Sequence, residues 1–293
     1  MKVLVTGATG FVGKHLLSKL KHQDVLIAIV VREFSDELEA YHQIVYNDDL
    51  QINIASFNPD IVIHLAAFLT SSDNVNNIKN IIDSNILFTS LLLEALKGTQ
   101  LKLFINTGTF AEYYLNDDVL NPAYFYAASK TAIRPILKYF KNIIGFKTIN
   151  VIPYTIYGGK SKSKKVIDYI IDSTNNDVFV DMTNGEQVLD FIHIDDVVDF
   201  YIHCINNIDL LNDGFDYHLG TGIGTRIKDV ATLIEKKMLK KTNINWGVKK
   251  YRDLDIMKAV APIKKLKEEL NWKPRIMLEN GIQKIINEEN NHD

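Results

Sequence analysis

Lys2-Val3-Leu4-Val5-Thr6-Gly7-Ala8-Thr9-Gly10-Phe11-Val12-Gly13 decides the fold of this chain. Residues 2–5 form a short β-branched run suited to a buried parallel strand. Residues 6–10 make a tight turn. Residues 11–20 then carry helical periodicity, with Val12, Leu16, Leu17 and Leu20 as the apolar positions. In a strand–turn–helix unit of this kind, Gly7 and Gly10 let backbone N–H groups approach a pyrophosphate, and Gly13 lets the helix pack closely on the strand. The helix amino terminus adds partial positive charge at the same place. Gly7, Thr9, Gly10, Phe11, Val12 and Gly13 are therefore the expected phosphate-binding segment of a dinucleotide site.

Strands and helices alternate outward from that unit. Residues 25–31, 43–46, 61–67, 101–106 and 148–152 read as strands, 74–96 as a long helix, and the segment around Tyr126 as another helix. The pattern predicts an α/β fold, a doubly wound parallel Rossmann sheet with a smaller C-terminal substrate-binding lobe. The expected boundaries are 1–158 for the dinucleotide-binding domain, with returning elements near 187–206, and 159–293 for most of the lobe. The lobe is expected over the carboxyl ends of the strands, where such sheets bind ligands.

Composition narrows the class. A chain of 293 residues with net charge −3 and a pI near 6.2 has no global attraction for nucleic acid or an anionic membrane. Its single cysteine, Cys204, excludes an internal disulfide and a cysteine metal cluster, and its apolar flank reads as a packed helix. No metal is expected. With no apolar leader and no apolar run of bilayer length, a cytoplasmic protein is expected.

Tyr126-Ala127-Ala128-Ser129-Lys130 carries the chemistry. Residues four apart on a helix share a face, so Tyr126 and Lys130 point into one space. A phenol has an ordinary pKa of about 10, and a neighbouring ammonium is expected to bring it toward working pH. One helical turn thus supplies an acid/base.

On the glycine-rich unit and this Tyr-x-x-x-Lys segment, the chain resembles the extended short-chain dehydrogenase/reductase family of nucleotide-sugar epimerases, dehydratases and ketoreductases. The resemblance runs over nearly the whole length. His64-Leu65-Ala66-Ala67 resembles the family's strand beside the cofactor, and Asn85 its helix asparagine. Residues 190–197 resemble its late strand–helix junction, and 270–274 with 278–282 its carboxyl-terminal signature. The resemblance implies that Leu65, Ala66, Ala67, Asn85, Tyr126, Lys130 and Pro153 line the cofactor. It also implies that Thr109, in Thr107-Gly108-Thr109, is the hydroxyl residue that bonds the reacting oxygen. The 4,6-dehydratases follow that residue with an aspartate and a glutamate; here Phe110-Ala111 stands instead, and Glu112 reads as a solvated loop carboxylate. Residues 106–110 with 125–130 are similar to reductases that make CDP- or dTDP-linked 6-deoxy- and dideoxyhexoses.

Cofactor choice is read at the end of the second strand. An acidic residue there holds the ribose 2′-hydroxyl of NAD, whereas an arginine accommodates the 2′-phosphate of NADP. Arg32 occupies the tip, Glu33 follows, and Ser35 is a second candidate partner for the phosphate. NADPH is therefore expected, with NADH second. Asp48, Asp49 and Leu50 are the candidates beside adenine. On the substrate side, residues 157–165 resemble the family's sugar loop, enriched in lysine, and Arg252 matches a phosphate-gripping arginine. Thr155 and Leu189 depart from the asparagine and arginine of many relatives. The expected substrate contacts are Thr109, Phe110, Tyr126, Thr155, Lys164, Lys165 and Arg252.

These features imply NADPH-dependent reduction of the C4 ketone of a dTDP- or CDP-linked 4-keto-6-deoxyhexose, in deoxysugar biosynthesis of the O-antigen and lipopolysaccharide kind. Lys130 is expected to lower the Tyr126 pKa and Thr109 to polarise the carbonyl. The alternatives are a nucleotide-sugar 4-epimerase with tightly bound NAD and, more distantly, a non-catalytic cofactor-sensing protein. The partner is a nucleotide-diphosphate sugar, with no nucleic acid and no membrane. The family's helix pairing implies a homodimer, with Ile82, Ile86, Leu93, Ile133, Leu137 and Phe140 as the apolar candidates.

Overall fold

The glycine-rich unit forms as strand β1 (Lys2–Thr6) and helix α1 (Phe11–Leu20), with Gly13, Leu16, Leu17 and Leu20 buried. The computed structural model describes residues 1–161, 163–175 and 179–290. Along the chain follow β2 (Leu26–Val31), β3 (His42–Val45), β4 (Ile61–His64), β5 (Leu103–Thr107), β6 (Lys147–Pro153) and β7 (Thr155–Tyr157). Then come β8 (Val180–Met182), β9 (Val188–His193), β10 (Asp216–Leu219), β11 (Gly224–Arg226), β12 (Ile244–Trp246) and β13 (Lys258–Ala259).

Seven strands make one sheet in the order β10-β6-β5-β4-β1-β2-β3, and every pairing from β3 to β6 is parallel. Leu4, Ile29, Val62, Phe104 and Ile149 are fully enclosed, which suits strands covered on both faces. The strand order reverses between β1 and β4, the crevice where such sheets take ligands. This is the doubly wound α/β fold the alternation predicts.

Helices α2 (Leu50–Phe57), α3 (Val75–Ile81), α4 (Phe88–Ala95) and α5 (Phe125–Ile144) complete this part. The expected 74–96 helix is continuous but changes character, because Ile82–Leu87 is a π-helical segment joining α3 to α4. Asn85 lies buried inside it.

The chain divides into two units: 1–113 with 120–152 and 198–217, and 114–119 with 153–197 and 218–293. A single cut at 158 is replaced by an interleaved one, and the returning segment is 198–217 rather than 187–206. In the second unit β7, β11 and β13 all pair with β9, and β8 pairs with β12. Tyr157, Ile170 and Phe191 share its core with Ile234 and Ile282.

Candidate active site

The turn after β1 packs closely against the end of β4. Gly7 has φ +69°, and a Cβ there would sit 2.6 Å from the Ala66 backbone nitrogen, so only glycine fits. Ala66 N–H donates to Thr6 Oγ1 at 3.2 Å, which ties the end of β4 to the same turn. Gly10 is the N-cap of α1, no side chain caps that helix, and its first turn holds no acidic residue. The amides and dipole of the turn suit a pyrophosphate. Thr9 is exposed, and Phe11 and Val12 are half-buried beside it.

Around this turn, Leu65 and Ala66 are half-buried and Ala67 is exposed. Beyond β2, Arg32 and Glu33 are both exposed, and the Ser35 N–H donates to Gln43 Oε1 at 2.9 Å while its carbonyl accepts from Gln43 Nε2 at 2.8 Å. Asp48 and Asp49 are exposed ahead of α2, while Leu50 is buried and Pro153 closes β6.

The residues expected to carry the chemistry lie in the first unit. Tyr126 and Lys130, one turn apart at the start of α5, are 7% and 3% exposed. Thr109 caps the short turn Phe110–Glu112. Its Oγ1 accepts the Ala111 N–H at 3.3 Å, and Glu112 Oε1 accepts the Thr109 N–H at 2.9 Å, a reciprocal capping box.

Glu112 is not a solvated loop carboxylate. It is fully enclosed, and its Oε2 accepts from Thr131 Oγ1 at 3.2 Å and from Arg134 Nε at 2.9 Å. The same guanidinium grips Asp216 through Nη1 at 2.9 and 2.8 Å, and the Tyr113 hydroxyl donates to Asp216 at 2.5 Å. Pairing and hydrogen bonds offset what an enclosed carboxylate would otherwise cost. The Thr-x-x-Glu spacing carries the signal for the capping box. Nothing in the spacing points to Arg134 or Asp216.

Burial sets the protonation of the pair. It pushes the Tyr126 phenol above its ordinary range, with Tyr124, Glu112 and Tyr201 adding to the shift. Lys130, expected to lower this phenol, is not among the groups that shift it; burial is the largest cause. Burial likewise lowers Lys130 to about 8, with Glu112 opposing.

Side-chain bonds hold α5 to the rest of the unit. Asn85 Nδ2 donates to Ser129 Oγ at 2.9 Å, Ser129 Oγ to the Tyr126 carbonyl at 2.6 Å, and Asn85 Oδ1 accepts the Phe68 N–H at 2.8 Å. His64 lies between Thr6 Oγ1 and Thr89 Oγ1 at 2.8 and 2.9 Å, and Thr89 Oγ1 donates to the Asn85 carbonyl at 2.8 Å. Burial first, then Lys130, lowers His64 to about 3, so it is neutral. Ser129 and Thr89 belong to this support and carry no sequence signal of their own.

The expected substrate residues other than Thr109, Phe110 and Tyr126 fall in the second unit. Thr155 is half-buried on β7, and its Oγ1 is enclosed. Lys164 is exposed and pairs with Asp172. Lys165 is drawn inward, and burial lowers it to about 7 against the pull of Asp168. Arg252 is exposed, and Lys162 lies outside the described residues. A cavity of about 240 Å³ opens beside Val166, Met182, Thr183 and Trp246. Asp190, fully buried, accepts the N–H groups of Thr221, Gly222 and Ala261 and the Thr221 hydroxyl, so it shapes the strand junction. Among the described residues no cluster is placed to hold a metal, and no helix is long and apolar enough to cross a membrane.

Comparison with known proteins agrees with this architecture. A CDP-abequose synthase of Salmonella muenchen is 30% identical, over 97% of this chain and 97% of that protein. A dTDP-4-dehydro-6-deoxyglucose reductase of Escherichia coli is 26% identical over 97% and 96%. The structure of a UDP-glucuronic acid 4-epimerase from Bacillus cereus, in complex with UDP-glucuronic acid and NAD, superposes with a TM-score of 0.87 at 22% identity, covering 100% of both chains. Residues 3–220 match the NAD dependent epimerase/dehydratase family, and the chain belongs to that family.

Proposed function

We propose that this protein reduces the C4 ketone of a dTDP- or CDP-linked 4-keto-6-deoxyhexose with NADPH. The observation that carries this is the enclosure of Tyr126 and Lys130 on α5 together with buried Thr109, with Phe110 and Ala111 where an eliminating enzyme needs an acid and a base. The CDP- and dTDP-linked activities named for the relatives support the substrate class. NADPH, when bound, supplies hydride. Tyr126, held neutral by burial, hands its proton to the developing C4 alkoxide. Thr109 bonds and orients the carbonyl oxygen. Lys130, one turn further along α5, is the ammonium offered to a cofactor ribose. Arg32, exposed at the end of β2, is the cation offered to a 2′-phosphate. The cavity beside Met182 and Trp246, within the second unit, is a candidate place for a nucleotide base.

The test is incubation of purified protein with NADPH and a panel of dTDP- and CDP-linked 4-keto-6-deoxyhexoses, following NADPH oxidation and the 4-hydroxy product. Non-exchanging NAD in the purified protein, with C4 epimers interconverted and no net oxidation, would replace the proposal by an epimerase. For the cofactor, Arg32→Ala should weaken NADPH by roughly ten- to a hundredfold, the scale of one charge-assisted contact, and leave NADH nearly untouched. Equal weakening of both cofactors sinks the NADPH assignment.

A further inference from the structure

Glu112 is an enclosed carboxylate for which the reaction above has no use. Two local features admit it. A side chain at Gly108 would collide with Glu112 Oε1 and come within 2.5 Å of Ile152 Cδ1, so glycine at 108 clears the space. Arg134, one turn beyond Lys130, supplies an opposite charge at 2.9 Å. A capping box needs much less, since a neutral glutamine serves the N3 position equally well. Arg134 is moreover already engaged by both oxygens of Asp216. The cluster thus sets two carboxylates against one guanidinium, and the Glu112 charge acts on the enclosed Lys130.

We propose that Glu112 is a positioning residue for Thr109, Tyr126 and Lys130: it fixes Thr109 through the backbone amide, holds α5 through Thr131 and Arg134, and supplies a counter-charge to Lys130. The inference rests on the proposed role of those three residues. The charged and titratable groups around the carboxylate are Arg134, Lys130 and Tyr126 of α5, then Tyr113, and Asp216 of β10 behind the guanidinium. His64 of β4 is also influenced by Lys130, but it is neutral and supplies no counter-charge. Glu112 opposes the burial that lowers Lys130 and favours the protonated phenol. Both effects preserve the proton-loaded state that a reduction consumes. A negative charge placed here favours Tyr126 as an acid over Tyr126 as a base.

Two substitutions separate charge from position. Glu112→Gln keeps the shape and the cap acceptor and removes the charge. Glu112→Asp keeps the charge but draws the carboxylate back from the Thr109 amide. The first readout needs no substrate: NMR titration of the Lys130 ε-methylene in the full-length protein. The second is kcat and KM with NADPH and a 4-keto sugar nucleotide.

Glu112→Gln should move the Lys130 titration down by about one pH unit, the lower end for loss of a nearby opposite charge. It should also lower kcat at pH 8 by about tenfold with KM nearly unchanged, as for an interaction made in the transition state. Glu112→Asp should leave the titration near that of wild type and lower kcat by a similar factor, about tenfold. A merely structural Glu112 would lower Tm in both variants without moving the Lys130 titration, and that result overturns the proposal. Should Glu112→Gln fail to fold by circular dichroism, Glu112→Asp decides, because wild-type kcat in that variant also overturns it. If the wild-type protein reduces no 4-keto sugar, the proposed function fails while the titration still judges Glu112.

Discussion

At the scale of single residues, Tyr126 and Lys130 were legible from their spacing, and their protonation was not. A helix of unknown burial leaves open whether an ammonium or a low dielectric governs a phenol. Here enclosure dominates both groups. Tyr126→Phe should cut turnover by at least about a hundredfold, the scale of one general acid, while NADPH affinity is retained. Near-normal turnover with unchanged cofactor binding would remove Tyr126 from the mechanism. Glu112 shows the converse case, in which a correct local signature conceals the tertiary fact that matters. Thr109-x-x-Glu112 announces a capped turn, yet only the approach of α5 delivers Arg134 and closes the carboxylate off from water.

At the scale of elements, polar residues line the carboxyl ends of the central strands. Thr6, His64, Asn106 and Asn150 stand in register across β1, β4, β5 and β6. Thr6 bonds His64, Asn106 bonds Asn150 at 2.8 Å, and Asn150 bonds Asp216 at 2.7 Å. His64 also reaches α4 through Thr89, where the π segment turns Asn85 toward Ser129. Such segments recur at functional sites because they redirect a side chain without ending the helix. The arrangement carries a pH cost. The folded protein holds His64 neutral down to about pH 3, whereas the unfolded chain protonates it near 6.5. Its contribution is therefore complete above pH 6.5 and is lost progressively as pH falls toward 3. At pH 5 the loss amounts to about 2 kcal/mol. Urea unfolding of wild type and His64→Asn at pH 7 and pH 5 checks this, because the wild type should lose more stability. Equal losses in the two proteins would show that His64 is not held neutral.

At the scale of the molecule, the apolar positions of α3 to α5 sort into two sets. Leu93, Ile133 and Leu137, expected as partner-facing candidates, are buried and belong to the interior. Ile86 and Phe140 are half-buried, and Ile82 remains 38% exposed. Val75, Ile78 and Leu91 on the first helical run, with Tyr139 and Ile143 on α5, are exposed as well. A homodimer paired through these faces predicts light scattering at twice the 33.4 kDa chain mass. Ile82→Asp should shift the protein to monomer without unfolding it. A wild-type monomer across a wide concentration range rules the dimer out.

What the sequence determined by itself is what depends on neighbours along the chain. The β1 turn and α1 follow from glycine spacing and local periodicity, the parallel sheet from the alternation of elements, and the Tyr126–Lys130 pair from one helical turn. Tertiary structure decided whatever depends on partners distant in sequence. It alone determined which apolar helix positions face inward, how 198–217 returns to the first unit, and that Arg134, 22 positions further along the chain, is the partner that lets Glu112 lie enclosed. Periodicity repeats along one element and reports only its own faces. Burial, and the pKa values it sets, arise from the sum of all the elements that close around a group.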